Sequence, residues 1–440
     1  MGTHFRPYEP DQDLLFPPSP RDWLPDGHLA YFVSDTVDAL DLEPFYRRYR
    51  GSGRRASPHE PRMLLKVLIY GYCSGVFSSR KIARGLEDSV AFRYLAGGNN
   101  PSHRTICRFR QEHLADFQGL FVQVVRIARE VGLIQLGTVA VDGSKVKANA
   151  SKHKAMSYER MQKEEKRLRK EIRRLTNRAS QVDAEEDALF GPDFRGDEIP
   201  AELERRQDRL QKIREAKARL EARQREEDEA SGRSPDDGGS GGRGSKRRPF
   251  GRPEDRKQDN FTDPDSRIMG SPKKGFEQAY NAQVGVDGKR QLIVSNGVGN
   301  NAADVGELLG QVDQVKSNLG GHPQRALADA GYKSEDNFRG LEERGIRGYV
   351  ALGKGESAPP SQVSPEQEAT GRMARRLRSK GGRSMYKKRK HVVEPAFGWI
   401  KQVLGFRSFS VRSLPKAQGE WSLVCLATNL RRLNGMMRWA

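Results

Sequence analysis

Residues 279–299, "AYNAQVGVDGKRQLIVSNGVG", hold two β-rich runs on either side of Asp287-Gly288. An Asp-Gly step between such runs is a strong hairpin signal, because both residues tolerate the positive φ of a tight hairpin turn. Working outward, "GTVAVDG" (137–143) reads as a short strand ending in a turn. Downstream, "DVGELLGQVDQVKSNL" reads as a helix that Asp304 can cap, and "RALADAG" as a strand ending at Asp329. Helix "SEDNFRGLEERG" and strand "RGYVAL" follow. The order β, ββ, α, β, α, β predicts a mixed α/β sheet interrupted after its first strand by a long insertion.

The insertion is helical in pattern. Met161, Leu168, Leu175 and Val182 recur every seven residues, with Ile172 and Ala179 at the complementary heptad position. Leu203, Leu210, Ile213 and Leu220 form a second seam, and the loop "FGPDFRGDEIP" between them suggests an antiparallel coiled hairpin. The Gly/Ser-rich basic stretch that follows reads as a flexible linker. The N-terminal part has apolar residues at three- and four-residue spacing and predicts short helices. The Gly97–Asn100 break precedes Ser102, a cap for a basic helix carrying His103, Arg104, Arg108 and Arg110. Short helices before a capped basic helix suit a helix-turn-helix-like DNA reader or a solvated all-helical face. The expected organisation is a helical domain with this candidate DNA reader over 1–134, an α/β domain over 135–155 and 256–440, the helical hairpin over 156–230 and the linker over 231–255.

With 78 Lys+Arg against 58 Asp+Glu the formal charge is +20, which favours a polyanionic partner. The excess is concentrated: 371–440 hold 17 basic and two acidic side chains. Cys73, Cys107 and Cys425 are scattered and odd in number, which argues against a disulfide framework or a paired-cysteine zinc site. No signal-peptide layout and no membrane-length apolar run occurs, so a cytoplasmic, nucleoid-associated protein is expected. "GYVALGK" (348–354) has phosphate-loop spacing, but Gly355 replaces the required Ser/Thr and its interior is an apolar strand.

Three acids stand out by position. Asp142 and Asp329 lie at predicted strand ends, and Glu394 lies in "RKHVVEPAFGWIK" (389–401), beside the most basic run. Strand ends of α/β sheets are where sites assemble, because side chains leave the core there but stay held by it. Three carboxylates and a phosphodiester balance the charge of two Mg²⁺ ions, which fits two-metal phosphoryl transfer. Each acid alone also has a bland reading, as a turn, a loop start or a surface ion-pair partner.

"VDGSKVKANAS" followed by a charged helical insertion, "ALADAGY" and "RKHVVEPAFGWIK" together resemble bacterial insertion-sequence transposases of the DDE class. The segments "NFTDPDSRIM" and "FEQAYNAQ" are similar to that family as well. The resemblance implies an RNase-H-like catalytic core, with Asp142, Asp329 and Glu394 as catalytic acids holding two Mg²⁺, Mn²⁺ substituting. It also implies binding of double-stranded DNA at element ends and target, strand cleavage and joining, and a synaptic homodimer or higher oligomer. An RNase-H-like nuclease without joining and a non-catalytic DNA-binding regulator are the alternatives. Tyr386, Arg389 and Lys401 match the family's tyrosine–arginine–glutamate–lysine signature, but Lys390 occupies the usual arginine spacing, so either cation could face phosphate. Pro395 implies either a helix starting at Glu394 or a longer helix kinked there.

Overall fold

A computed structural model describes residues 19–49, 58–190, 201–235, 248–271, 275–353 and 368–437. Helices α1 (Leu29–Asp38), α2 (Glu43–Tyr46), α3 (Pro61–Cys73), α4 (Ser79–Asp88), α5 (Val90–Ala96), α6 (His103–Glu112) and α7 (Phe117–Glu130) make the N-terminal part. Helix α5 ends because Gly97 and Gly98 take the left-handed backbone, and the Ser102 hydroxyl accepts from the Thr105 amide to start α6, as expected.

Strand β1 (Thr138–Lys147) runs past the anticipated turn at Gly143, because β5 pairs with it along its whole second half. The short β2 (Ala155–Ser157) leads into helices α8 (Tyr158–Phe190) and α9 (Ala201–Ala230), and β3 (Gln258–Asn260) returns to pair with β2. Tyr158 bonds Glu221 near the root, while Glu171, a few turns further out, meets Arg206, so the two helices run antiparallel. Met161, Leu168, Ile213, Ala216 and Leu220 are buried between them. The loop at 191–200, the heptad positions from Ala179 onward and the linker stretch 236–247 lie outside the residues whose side chains are described. The described ends of the linker are held rather than loose: buried Asp228 accepts from Arg233 and from the Gly251 amide.

Strands β4 (Arg267–Ser271), β5 (Gly275–Asp287) and β6 (Ile293–Gly299) come next, then α10 (Leu308–Leu319), β7 (Arg325–Ala328), α11 (Glu335–Glu343) and β8 (Arg347–Val350). The sheet order is β4-β5-β1-β7-β8, with β6 sharing β5's outer edge with β4. β5 is antiparallel to β1, β4 and β6, whereas β1, β7 and β8 are parallel, which makes the expected mixed sheet. Asp304 does not cap α10. The helix starts at Leu308, and the Asp304 carboxylate bonds Asn281 and Gln283 instead.

Helices α12 (Glu368–Arg378), α13 (Lys380–Gly398) and α14 (Leu414–Met437) complete the chain. Pro395 lies inside α13 rather than at its start, and a π-helical turn, Trp399–Val403, follows. Proline cannot donate to the carbonyl four residues back, that of His391. The side-chain amide of Gln291, from the β5–β6 turn, donates to that carbonyl at 2.7 Å instead.

Helix α14 is apolar on nearly all sides because it is enclosed on all sides: Trp421, Leu423, Val424, Cys425, Leu426, Ala427 and Leu430 have no exposed surface. It packs on α3 and α7 and on β6, where Asn429 bonds both the amide and the carbonyl of Ile293. The N-terminal helices and the sheet therefore share one continuous core, with no break at 134. Among the described residues no helix is long and apolar enough to cross a membrane.

Candidate active site

Pairing between β1 and β7 stops at Ala140↔Leu327. Extending that register by two residues sets Asp142 opposite Asp329, the residue after β7, with both side chains on one face. Asp142 thus stands mid-strand with β5 on one side and open space where β7 has ended. The Asp329 carboxylate accepts from the Gly331 amide at 2.8 Å, which fixes it at the mouth of the strand. Gly143 belongs to the strand rather than to a turn. A Cβ there would collide with Gln283 Nε2 and come within 2.7 Å of Asp304 Oδ1.

Asp142 accepts from its neighbour amide Gly143 at 2.9 Å and lies 3.3 Å from Arg389 Nη1. Burial pushes its carboxyl up to about 6; Arg389 opposes that shift, while Asp329 and then Asp304 reinforce it. Burial, followed by the charges of Asp304, Asp142, Asp329 and Glu307, pushes the buried Tyr332 hydroxyl far above its usual range. All four carboxylates therefore act on the Tyr332 hydroxyl. Asp304 Oδ1 accepts from Asn281 at 2.6 Å and Gln283 at 2.7 Å, with Lys145 Nζ 3.4 Å away.

The other wall is α13 and its π-turn. Val392, Val393, Ala396, Phe397 and Ile400 face the sheet, and Arg389 lies on the same stripe and reaches Asp142. Lys401 turns inward as well, bonding the Ser144 hydroxyl and, at 3.1 Å, the Lys145 carbonyl; burial lowers its pKa. Ser144 is two residues past Asp142 on the same face of β1. Glu394 sits on the exposed side of α13, and the extra residue of the π-turn separates its face from that of Lys401. Lys390 is exposed and Tyr386 half-buried, so Arg389 is the cation turned to the acids. Among the described residues no three His, Cys, Asp or Glu side chains are grouped closely enough to hold a metal ion. The structure thus brings Asp142, Asp329, Arg389 and Lys401 together and leaves Glu394 outside that group.

Part of the basic run serves the fold: Arg372 pairs with Glu342 and Glu368, and Arg376 donates to the Gly348 carbonyl. Arg375, Lys380, Arg383, Lys387 and Lys388 remain exposed. On α6, Arg104 and Arg108 are exposed and His103 half-buried. Arg110 is a correction. It is buried, with its guanidinium donating to the Phe77 carbonyl and the Tyr72 hydroxyl, 4.0 Å from Glu420, and so is not available to DNA.

Asp304 and its partners were missed because a carboxylate before a helix reads first as a cap. The available signal was Asn281 and Gln283: two buried amides at period two mark a polar point on one face of β5.

Two family models match the chain. One described as Transposase domain (DUF772) covers 18–112, and one described as Transposase DDE domain covers 249–430. No curated protein and no solved structure gave a match. The second model spans Asp329 and Glu394 but not Asp142, which is tied to the matched region through the pairing of β1 with β5 and β7. A transposase DDE domain implies an RNase-H-like fold, and the mixed sheet agrees with it.

Proposed function

This chain belongs to the DDE transposases, enzymes of metal-dependent phosphoryl transfer on DNA, and we propose that it cleaves the ends of an insertion sequence and joins their 3′-OH groups to target DNA. The observation that carries this reading is the level placement of Asp142 and Asp329 on adjacent parallel strands, at the point where β7 ends. A binding module gains nothing from two crowded carboxylates beside a cationic helix.

The donor set fits a hard divalent cation. All of it is carboxylate oxygen, and Asp142 is held in an environment too negative and too buried for its own charge. Asp142, Asp329 and Glu394 are the residues proposed to hold two Mg²⁺, with Mn²⁺ as a substitute; Glu394 would join from the exposed side of α13. When bound, such ions supply Lewis-acid stabilisation of the attacking and leaving oxygens of an in-line displacement. The chain's own cations do the positioning. Arg389 Nε is buried without a partner among the described residues, so the guanidinium keeps donor capacity for a phosphate oxygen. Lys401, locked to Ser144 and the β1 backbone, fixes a positive charge beside Asp142. Exposed Arg104 and Arg108 on α6 are the proposed end-recognition cations, and α8 with α9 the proposed coiled hairpin. Chemistry at two ends makes a synaptic dimer the natural working form.

The test is incubation of the full chain with labelled element-end DNA, a target plasmid and Mg²⁺ or Mn²⁺, followed by mapping of cut and joined strands. Asp142→Asn and Glu394→Gln should each lower joining by at least about 1,000-fold, with end binding within a few-fold of wild type. Joining retained by either variant refutes that residue's role. Cutting without joined product favours the nuclease reading.

A further inference from the structure

Two cavities of about 690 and 610 Å³ lie beside the root of the inserted hairpin, and both are lined by His153, Lys154 and Thr262. Together they form one cleft. It begins at Lys147, the last residue of β1, follows the link to β2, and ends against α8 and α9. Lys147, Lys152, Lys154, Arg160, Arg205 and Lys212 line it, all exposed, and none forms an ion pair among the described residues. The acids on its walls are Glu277 and Asp208.

Several other cations of the hairpin are paired. Arg167 pairs with Glu164 and Glu171, Arg169 and Lys217 with Glu165, and Arg219 with Asp259. Arg209, on the cleft wall, is paired with Glu164, whereas the six cations named above stay open to a ligand. Exposed, unpaired cations lining one groove attract a polyanion, because each phosphate neutralised releases counterions.

We propose that this cleft holds the phosphate backbone of duplex DNA flanking the reacting phosphodiester, so that the inserted hairpin is a DNA-binding arm. The proposal rests on the DNA-joining reading above. Five residues of strand separate Asp142 from Lys147, about 16 Å at ~3.3 Å per residue. That distance corresponds to about five base pairs of B-form DNA. The first contacts in the cleft therefore fall about five base pairs from the reacting phosphate, and those to α9 lie further out.

The experiment uses the full chain and a fluorescently labelled 40-base-pair duplex, with affinity measured by anisotropy between 50 and 300 mM KCl. Lys152→Glu/Lys154→Glu and Arg205→Glu/Lys212→Glu should each weaken binding at least about tenfold and flatten the salt slope by about 2, two phosphate contacts being lost. Lys316→Glu/Arg347→Glu, which reverses as many exposed charges on α10 and β8, should change affinity less than about twofold. Thermal melts check folding, and an unfolded pair is replaced by its alanine counterpart, for which the same slope change is expected. Groove pairs that behave like the α10/β8 pair overturn the assignment while leaving the transposase reading intact. A wild-type chain that binds no duplex overturns both.

Discussion

Two arginine–carboxylate pairs tie distant segments of this chain together, and they are built in opposite ways. Glu420, on α14, has no exposed surface and is saturated with donors: the Tyr72 hydroxyl at 2.8 Å, the Ser410 amide at 2.7 Å and the Ser410 hydroxyl, with Arg110 beside it. Asp142 receives one neighbouring amide and one guanidinium at 3.3 Å, and faces further carboxylates instead of further donors. A buried acid that serves stability is surrounded by hydrogen-bond donors. The role proposed for Asp142 asks for the reverse, an acid kept short of donors so that its affinity for positive charge remains for something else.

The comparison is broken most forcefully at Arg110. Arg110→Ala leaves the Glu420 charge buried with its cation gone and should lower unfolding stability by about 3–5 kcal/mol in denaturant titrations. A loss under 1 kcal/mol would mean that the pair does not matter to the fold. At the other pair the effect should be smaller and should depend on pH. Because the folded-state pKa of Asp142 is raised, the native chain binds a proton there that the unfolded chain releases. This group's contribution to stability therefore declines as pH rises from about 4 to about 6, and levels off above. Asp329→Asn removes a like charge and should move the Asp142 midpoint below about 6, while Arg389→Gln should move it above. Carboxyl-carbon NMR titration reads both, and calorimetric Mn²⁺ binding should follow the same midpoints, since the ion takes the deprotonated acid. Shifts in the same direction for both variants would contradict the geometry. The smallest effect is expected at Arg104, exposed on α6. Arg104→Ala should leave stability within about 0.5 kcal/mol while reducing the salt slope of end binding by about 1.

Much of this was legible from local pattern. The two strands within 279–299, the strand before Asp329 and the capped start of α6 follow from apolar period and capping chemistry, which are properties of neighbouring residues. The β5–β6 turn itself differs, its left-handed residue being Gln291 rather than Asp287 or Gly288. Asp142 and Asp329 stand out for the same reason, as acids closing apolar runs. What stayed illegible depends on residues far apart in the chain. Arg110 looks like a surface cation until Tyr72 and Glu420 are seen to meet it. Asp304 looks like a helix cap until β5 brings Asn281 and Gln283 to it. Pro395 looks like a helix start or a kink until Gln291 is found bonding the His391 carbonyl that the proline leaves without a donor. The extent of β1 beyond Gly143 could not be read either, since a glycine tolerated under Gln283 and Asp304 looks the same as one that makes a turn.

The closure at Asp228 has a practical side. Arg233 reaches the Arg248 carbonyl at 2.6 Å, and both flanking segments are fastened to one buried carboxylate, so the described ends are clasped at a single point. The entropy of closing a loop grows only slowly with its length. The stretch between Ser234 and Arg248 is thus the natural port for an added reporter or affinity handle, or for a deletion that makes the gene shorter without asking anything of the catalytic sheet.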